Sequence, residues 1–427
     1  MKFQKCTYLF FSLMVALFFV SCSAFTTHKM VSVSYEQLMD QEISATIASM
    51  SISEKSSQVL MTGIDGKESF PSNMLRHFNG VIPGAVLLFK YNIAESPEAV
   101  QHYIDSSSKS FESLGARVPV LFAIDHEGGD VVRTGKVLSR LPSAQSVAAN
   151  FGIDRAETLY ALSGTQLASL GIRMNLSPVA EAMTVTNKEF LGTRSFSSSG
   201  ETVVSYASAA LRGYRSSGVL AVLKHFPGNG QGDPHTGLPK LDVSRNELAE
   251  KYTSTFFSLL KEKPDAILVS HIIVSSIDPD TPFCLSREGV TGLLRKSLGF
   301  DGVVITDDIS MGALAKNGYS SCDASLLALE AGCDMIMTSA PDIRDISSAI
   351  AARASKDRLF SARLDESVRR ILVMKARIGL VKTAQERYSR SRFATSRSEQ
   401  LISNFKLDIF YNARKKAGLL LEGLNVK

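Results

Sequence analysis

The chain has 427 residues, 44% of them hydrophobic and 21% charged, with a formal net charge of +5. This is an ordinary globular composition, which excludes a mainly disordered chain and allows one large domain or two ordinary ones. The charge is small for this length and much of it lies in the C-terminal segment, so we expect no nucleic-acid partner.

The first 22 residues have the pattern of an export signal. Lys2 and Lys5 precede an apolar run, residues 8–20, and small residues follow. The run is short for a membrane span, and its charge, length and ending are those of a signal peptide. The last four residues, Phe-Val-Ser-Cys, resemble the lipobox of bacterial lipoproteins, in which the cysteine carries the lipid. We therefore predict a protein anchored to a membrane through Cys22, on the periplasmic or cell-surface side. Plain secretion and an uncleaved anchor are the alternatives.

Residues 23–45 are then an exported N-terminal segment, and eight short apolar runs follow in residues 46–382. Their cores are continuous β-branched and aliphatic residues, as in strands buried on both faces, and amphipathic helical stretches separate them. This pattern predicts an α/β fold, a TIM-like (β/α)8 barrel as a single catalytic domain; an open doubly wound sheet is the competitor. The runs are QVLMTGI at Gln58, GAVLLF at Gly84, VPVLFAID at Val118, GIRMNLSPVAE at Gly171, GVLAVLKHF at Gly218, DAILVSHI at Asp265, GVVITDD at Gly302 and CDMIMTS at Cys333.

Polar side chains follow four of these runs at the point where each ends. A barrel places its chemistry at the carboxyl ends of its strands, so this coincidence predicts an enzyme. The clusters are residues 125–127 after the third run, Lys224 and His225 in the fifth, Ser270 and His271 in the sixth, and Asp307 and Asp308 in the seventh.

Residues 383–427 form a C-terminal extension. A polar, basic linker comes first, and the stretch from Leu401 to Leu424 then has the pattern of one amphipathic helix or two. It is too short for an independent domain, so we expect it to pack on the barrel.

Three cysteines remain after the signal segment: Cys284, Cys322 and Cys333. No two are closely spaced, and an odd number leaves at least one thiol outside any disulfide. We expect all three to be buried as small hydrophobic side chains, and we predict no metal site.

The stretch KHFPGNGQGDPHTGLP, residues 224–239, is rich in glycine and proline and is therefore a loop. His225 and His235 lack the one-turn helical spacing of paired metal ligands, and no helix follows the glycines to bind a phosphate. Asp233 and His235 are spaced i, i+2, so in an extended loop the carboxylate can orient the imidazole for acid–base chemistry. A solvated surface turn is the alternative.

Six ordered motifs between about Val59 and Gly379 resemble glycoside hydrolase family 3, and within it the bacterial β-N-acetylglucosaminidase branch. KHFPG and the following Asp-x-His-x-x-Leu-Pro are the most distinctive. The other four are AIDHEGG (residues 123–129), NLSPVAE (175–181), GTRSF (192–196) and GFDGVVITDDISMGAL (299–314), which resembles the segment that bears the nucleophile.

The resemblance implies a retaining exo-glycosidase that hydrolyses terminal β-linked N-acetylglucosamine through a covalent glycosyl–enzyme intermediate, without a cofactor. Asp307 matches the nucleophile, His235 the general acid/base, and Asp233 the residue that orients it. Asp308 is instead expected to be a hydrogen-bonding partner or helix cap, because adjacent side chains of a strand alternate. Sugar-binding roles are implied for Asp125, Arg133, Arg194, Lys224 and His225; His271 either lines the pocket or is a buried, hydrogen-bonded histidine.

The chain departs from the family pattern at three points. The loop between KHFPG and the histidine is two residues shorter than the family's KHFPGHGDTxxDSH, Pro234 replaces a common serine, and Asp130 stands where an arginine is expected. We expect a monomer that acts on glycans or cell-wall fragments. A β-glucosidase, a glycoside phosphorylase and a non-catalytic sugar-binding lipoprotein are the alternatives.

Overall fold

The computed structural model describes residues 34–78, 80–230, 232, 237–339, 343–383 and 396–422. The described residues from Met39 onward form one compact unit. The predicted signal segment with Cys22, and the predicted pair Asp233 and His235, lie outside the described residues. None of the helices among the described residues combines the length and the apolar character that a membrane-crossing helix needs.

Eight parallel strands form a closed barrel. They pair in the order β7-β6-β5-β4-β3-β2-β1-β8, and a bridge between Ile305 of β7 and Met335, next to β8, closes the ring. Each of the eight apolar runs contains one strand, so the predicted (β/α)8 barrel is confirmed and the open sheet is excluded. The strands are β1 Leu60–Thr62, β2 Ala85–Leu88, β3 Leu121–Ile124, β4 Met174–Asn175, β5 Leu220–Phe226, β6 Ala266–Val269, β7 Val303–Thr306 and β8 Ile336–Thr338.

All residues of the eight strands are buried, because side chains on one face fill the barrel and those on the other meet the helices. The helices are α1 Tyr35–Ser49, α2 Ile52–Gln58, α3 Ser72–His77, α4 Pro97–Ser113, α5 Ala144–Asn150, α6 Ile153–Leu170, α7 Lys188–Leu191, α8 Gly200–Ser216, α9 Arg245–Glu247, α10 Ser254–Leu259, α11 Gly312–Ala315, α12 Ser321–Ala331, α13 Ile343–Lys356, α14 Arg358–Arg377 and α15 Ser396–Leu421. Segments Leu248–Thr253 and Glu288–Ser297 are π-helical.

Local signals in the sequence explain where the longer helices begin and end. The side chains of Ser96 and Ser199 accept the backbone N–H groups of Ala99 and Thr202 at the starts of α4 and α8. Helix α6 ends at Gly171, which has a φ of 95°, a conformation that only glycine adopts without strain. These signals fix the helices against the barrel.

The C-terminal stretch forms a single helix, α15, rather than two, and it packs along α6. Phe410 of α15 is fully buried, and Tyr411 donates a hydrogen bond of 2.5 Å to Glu98 of α4. Most of the predicted polar linker, residues 384–395, lies outside the described residues.

The described cysteines form no disulfide. Cys284 and Cys333 are fully buried, as expected, whereas Cys322 is only partly buried, so that expectation was wrong for one of the three. Its position in the first turn of α12, at the outer ring of the barrel, accounts for the difference.

Two groups of buried charges lie at the amino ends of the strands, which we call the floor of the barrel. Asp334, just before β8, forms ion pairs with Arg295, Arg363 and Arg370. The N–O distances are 2.6 Å to Arg363 and 3.5 Å to Arg370. Burial alone would raise the pKa of Asp334, but the three arginines outweigh it and lower the pKa. We call Asp334 and these three arginines the floor cluster.

Lys375 of α14 is the second buried charge of the floor. Its Nζ donates hydrogen bonds of 2.7 Å to Gln58 Oε1 and 2.8 Å to the Pro119 carbonyl oxygen, before β1 and β3. Because no carboxylate accompanies these contacts, burial lowers the pKa of Lys375 to about 7.

Candidate active site

The polar residues predicted from the sequence meet at the carboxyl ends of the strands, which we call the mouth of the barrel. Asp125 follows β3 directly, and Asp307 follows β7 directly. Lys224 and His225 lie near the end of β5, and His271 lies two residues beyond β6. The strands therefore bring together residues that are far apart in the chain, as a barrel enzyme requires.

A buried network of charges joins the segment after β3, the end of β5 and Arg194, which lies between β4 and α8. The Lys224 Nζ lies 2.5 Å from Asp125 Oδ1 and 2.6 Å from Glu127 Oε1. Arg194 donates two hydrogen bonds, of 2.8 and 2.9 Å, to the same Glu127 carboxylate. Burial would raise the pKa of Glu127, but Lys224 and Arg194 outweigh it and lower the pKa to about 2. Glu127 is therefore a permanent anion that holds both cations in place.

His225 is fixed in one tautomer by its partners. Its Nδ1 lies 2.8 Å from Glu181 Oε1, and its Nε2 lies 3.2 Å from a guanidinium nitrogen of Arg194, which can only donate. The ring therefore donates from Nδ1 and accepts at Nε2. Asn229 also donates to Glu181, from its backbone at 2.6 Å and from its side chain at 2.7 Å. The imidazole is thus held rigidly beside Arg194.

Asp307 is half-buried, and His271, His225 and Lys224 lie near enough to act on its charge. Its Oδ1 accepts a 2.9 Å hydrogen bond from the backbone N–H of Asp308. Burial would raise the pKa of Asp307, but the neighbouring His271 and His225, the backbone N–H of Asp308 and Lys224 outweigh it and lower the pKa. The pKa lies below its usual range, so Asp307 is ionised at neutral pH and is suited to act as a nucleophile.

Asp308 has the bonding role that was predicted for it. Its Oδ1 accepts the backbone N–H groups of Ser310 at 2.9 Å and Ser339 at 3.1 Å. These bonds fix the loop after β7 to the end of β8.

His271 is fully buried, and both of its ring nitrogens have partners. Its Nε2 lies 2.9 Å from the carbonyl oxygen of Asp308, and its Nδ1 lies 3.1 Å from the Cys284 sulfur. These are the contacts of a buried, hydrogen-bonded histidine, the second of the two alternatives for this residue. Its role towards substrate stays a prediction.

Two predicted sugar-binding arginines have different surroundings. Arg194 lies over the ring of Phe190, with its guanidinium carbon 5.1 Å from the ring centroid. Arg133 is half-buried on the segment after Val131, and it has no hydrogen bond or ion pair with another described residue. Asp130, which replaces the expected arginine, is exposed and accepts a 3.1 Å hydrogen bond from Thr193.

Sequence analysis assigned no site role to four residues that hold the site together, although it placed the first in a polar cluster and expected the last to be buried: Glu127, Glu181, Asn229 and Cys284. Glu127 and Glu181 lie within the quoted motifs AIDHEGG and NLSPVAE, so their acidic character was a usable signal. Asn229 and Cys284 carry no such signal, because their contacts depend on how distant loops meet.

The loop predicted to carry Asp233 and His235 begins at the mouth of the barrel. It follows β5, which carries Lys224 and His225, and it returns into Lys240–Leu241, which pairs with Ile273–Val274 beyond β6. The roles of Asp233 and His235 stay predictions. Across the described part of the chain, no group of three or more His, Cys, Asp or Glu side chains comes together in a way that could hold a metal ion.

Known proteins are similar to this chain in sequence and in architecture. The family described as "Glycosyl hydrolase family 3 N terminal domain" matches residues 51–374. The chain is 35% identical over 259 residues to a beta-hexosaminidase of Methylococcus capsulatus, covering 60% of this chain and 75% of that protein. It is 31% identical over 273 residues to "Beta-hexosaminidase LpqI" of Mycobacterium tuberculosis, covering 61% and 69%.

Two solved structures extend this likeness to the fold. A glycoside hydrolase family 3 beta-N-acetylglucosaminidase from Paenibacillus sp. str. FPU-7 superposes with a TM-score of 0.74 at 27% identity, over 83% of this chain and 68% of that one. A beta-N-acetylhexosaminidase from Beutenbergia cavernae DSM 12333 superposes with a TM-score of 0.69 at 32% identity, over 77% and 99%. The barrel, its mouth and these matches together mean that the chain belongs to glycosyl hydrolase family 3.

Proposed function

We propose that this protein is a retaining β-N-acetylhexosaminidase, which hydrolyses terminal β-linked N-acetylglucosamine from glycans or cell-wall fragments. The observation that carries the proposal is the ionised Asp307 directly after β7, close enough to Lys224, His225 and His271 for them to lower its pKa. The names of the relatives support the choice of sugar.

The reaction proceeds in two steps, through a glycosyl ester of Asp307. In the first, a carboxylate oxygen of Asp307 bonds to the anomeric carbon as the bond to the glycosidic oxygen breaks, and His235 gives that oxygen a proton. In the second, His235 takes a proton from water, the water oxygen attacks the anomeric carbon, and the ester bond to Asp307 breaks. Asp233 would hold the imidazole in the correct tautomer during both transfers.

The charge network of the mouth is suited to grip sugar hydroxyl groups. Lys224 and Arg194 have N–H groups left for a ligand after binding Glu127, and Asp125 has a carboxylate oxygen to accept a hydroxyl proton. Because Glu127 already fixes the two cations, binding costs little side-chain ordering. Arg133, which has no partner among the described residues, is available for the same purpose.

The cellular position that we propose is outside the cytoplasm, with a lipid anchor on Cys22. The support is the charge, length and lipobox-like ending of residues 1–22. Expression with a radiolabelled fatty acid tests it. The protein should be labelled and should fractionate with membranes, whereas a Cys22→Ser variant should carry no label and should not fractionate with membranes. Label that persists in the variant would contradict the anchor.

The enzymatic proposal is tested with the purified full-length chain in detergent. We expect rapid hydrolysis of an aryl β-N-acetylglucosaminide, slow or no hydrolysis of the matching β-glucoside, and no dependence on phosphate. Preference for the glucoside would indicate a β-glucosidase, and formation of a sugar 1-phosphate would indicate a phosphorylase. No turnover by folded protein in any of these assays would favour a non-catalytic sugar-binding protein.

A further inference from the structure

Cys284 lies in a cluster that the proposed mechanism does not yet use. It belongs to the short turn Phe283–Leu285 and is fully buried. Its sulfur lies 3.1 Å from Nδ1 of His271, whose Nε2 lies 2.9 Å from the carbonyl oxygen of Asp308. The thiol, the imidazole and the loop that carries Asp307 therefore form one continuous chain of contacts.

The partners of His271 determine where its protons lie. A carbonyl oxygen can only accept, so Nε2 must carry a hydrogen and donate it to Asp308. Nδ1 then either accepts the S–H hydrogen of Cys284 or carries a second hydrogen and faces the sulfur with it. Sulfur is a weak acceptor and a neutral thiol has a hydrogen to give, so the first arrangement is favoured.

The alternative of a thiolate beside a positive imidazole is also disfavoured. Burial raises the pKa of the Cys284 thiol well above its usual value, and the neighbouring Cys333 and the Asp307 carboxylate raise it further. Cys284 therefore remains a thiol that can donate to Nδ1, and the contacts of the ring place its hydrogen on Nε2. The ionisable groups around Asp307 and His271 are Lys224 and His225 on β5, Asp307 and Asp308 after β7, and the thiols of Cys284 and Cys333.

We propose that Cys284 is a positioning residue of the reaction: its S–H holds His271 in the neutral Nε2–H tautomer, which anchors the loop bearing Asp307 and leaves that carboxylate unpaired for attack. This inference rests on the proposed function, in which Asp307 is the nucleophile. The described contacts agree with it, since one Asp307 oxygen accepts only the backbone N–H of Asp308.

Loss of the S–H group has a specific consequence. Without a donor, the lone pair on Nδ1 becomes free to bind a proton, and the carboxylate of Asp307 favours the resulting imidazolium. The charge of a positive His271 would stabilise the Asp307 carboxylate electrostatically and so reduce its reactivity towards the sugar. The effect would appear at acidic pH and vanish at higher pH, which separates it from a general loss of packing.

The test compares pH profiles of kcat/KM for the aryl β-N-acetylglucosaminide, using full-length protein. In Cys284→Ala the acidic limb should move up by about one pH unit, which costs about tenfold at pH 5.5 and less than about twofold at pH 8. Cys284→Ser, which keeps a hydroxyl donor, should retain the wild-type profile. Cys333→Ala is the matched control: it removes a buried thiol that contacts the Cys284 carbonyl group at 3.4 Å but not His271, so its profile should be unchanged.

Two kinetic results would overturn the inference: a wild-type profile in Cys284→Ala, or an equal loss at all pH values in both the alanine and the serine variants. A second measurement needs no activity and no Cys284 variant. In wild-type protein labelled with ¹⁵N-histidine, the signals lost in His271→Gln should report a protonated Nε2 and a bare Nδ1 at pH 7. The opposite tautomer or a doubly protonated ring would contradict the inference. If the wild-type protein has no activity, the proposed function and the catalytic role of Cys284 both fail, whereas the NMR result still decides the tautomer.

Discussion

The mouth and the floor of this barrel both contain buried charges, but they use them differently. At the floor, Asp334 has its oxygens occupied by Arg295, Arg363, Ser367 and the backbone N–H of Val304, so the cluster is closed on itself. At the mouth, Lys224, Arg194 and Asp307 keep N–H groups or a carboxylate oxygen beyond those used in their described bonds. The same kinds of charged group thus stabilise the fold where all their hydrogen-bonding atoms have partners, and are available to a ligand where some of these atoms do not.

The largest effect should come from removing the charge at the centre of the mouth. Asp307→Asn should lower kcat by about 10⁴-fold or more, because an amide cannot form the glycosyl ester. The melting temperature should change by no more than about 3 °C, since Asp307 is half-buried and its one described bond is to the backbone. Asp308→Asn is the control: its Oδ1 can still accept from Ser310 and Ser339, so its loss should be far smaller. Equal losses in the two variants would leave the nucleophile unassigned.

The second effect concerns the predicted acid/base, outside the described residues. His235→Ala should lower kcat/KM by about 10² to 10⁴-fold for a substrate whose leaving group needs a proton. The loss should shrink for an activated phenol with strongly electron-withdrawing groups, because such a group departs without protonation. Rates measured across a series of aryl β-N-acetylglucosaminides check this. A loss that is the same for every leaving group would remove His235 from the acid's role.

Removing a charge at the floor should lower the stability of the protein and leave its activity nearly unchanged. Asp334→Asn leaves three arginines facing a neutral amide, and breaking a buried ion pair costs about 3 to 5 kcal/mol of unfolding free energy. Urea denaturation should detect this loss, whereas kcat/KM of the folded variant should stay within about twofold of wild type. A large fall in kcat/KM without loss of stability would show that the floor and the mouth are coupled, and the comparison would fail.

The smallest effect is a pH dependence of stability at the floor. The pKa of Lys375 is lowered to about 7 in the folded state, against an ordinary value near 10.5, so between these pH values the unfolded chain binds more protons. The unfolding free energy of the wild-type protein should therefore gain about 2 kcal/mol between pH 7 and pH 9 relative to Lys375→Met, which lacks the titrating group. Urea denaturation of both proteins at these pH values checks the difference. A constant difference would mean that Lys375 keeps its charge in the folded protein.

The barrel was predictable because buried parallel strands leave continuous apolar runs in the sequence, and all eight runs were found. The polar residues at strand ends were predictable for the same reason: Asp125, Lys224 and Asp307 fall where a run stops. The bracing of the site was not. Glu181 reaches His225 across 44 residues, and Cys284 meets His271 because the turn at Phe283 folds back against Ile272, in the segment after β6. Such contacts depend on the path of loops, which local sequence patterns do not determine.

The central claim, that Asp307 carries the sugar during the reaction, has one direct test. An N-acetylglucosamine derivative with fluorine on its ring and an activated leaving group should slow the second step more than the first, so that the glycosyl–enzyme intermediate accumulates. Peptide mapping by mass spectrometry should then find one added sugar residue on the peptide that contains Asp307, and none in Asp307→Asn. A label on a different carboxylate, or release of the α anomer as the first product of hydrolysis, would contradict the account.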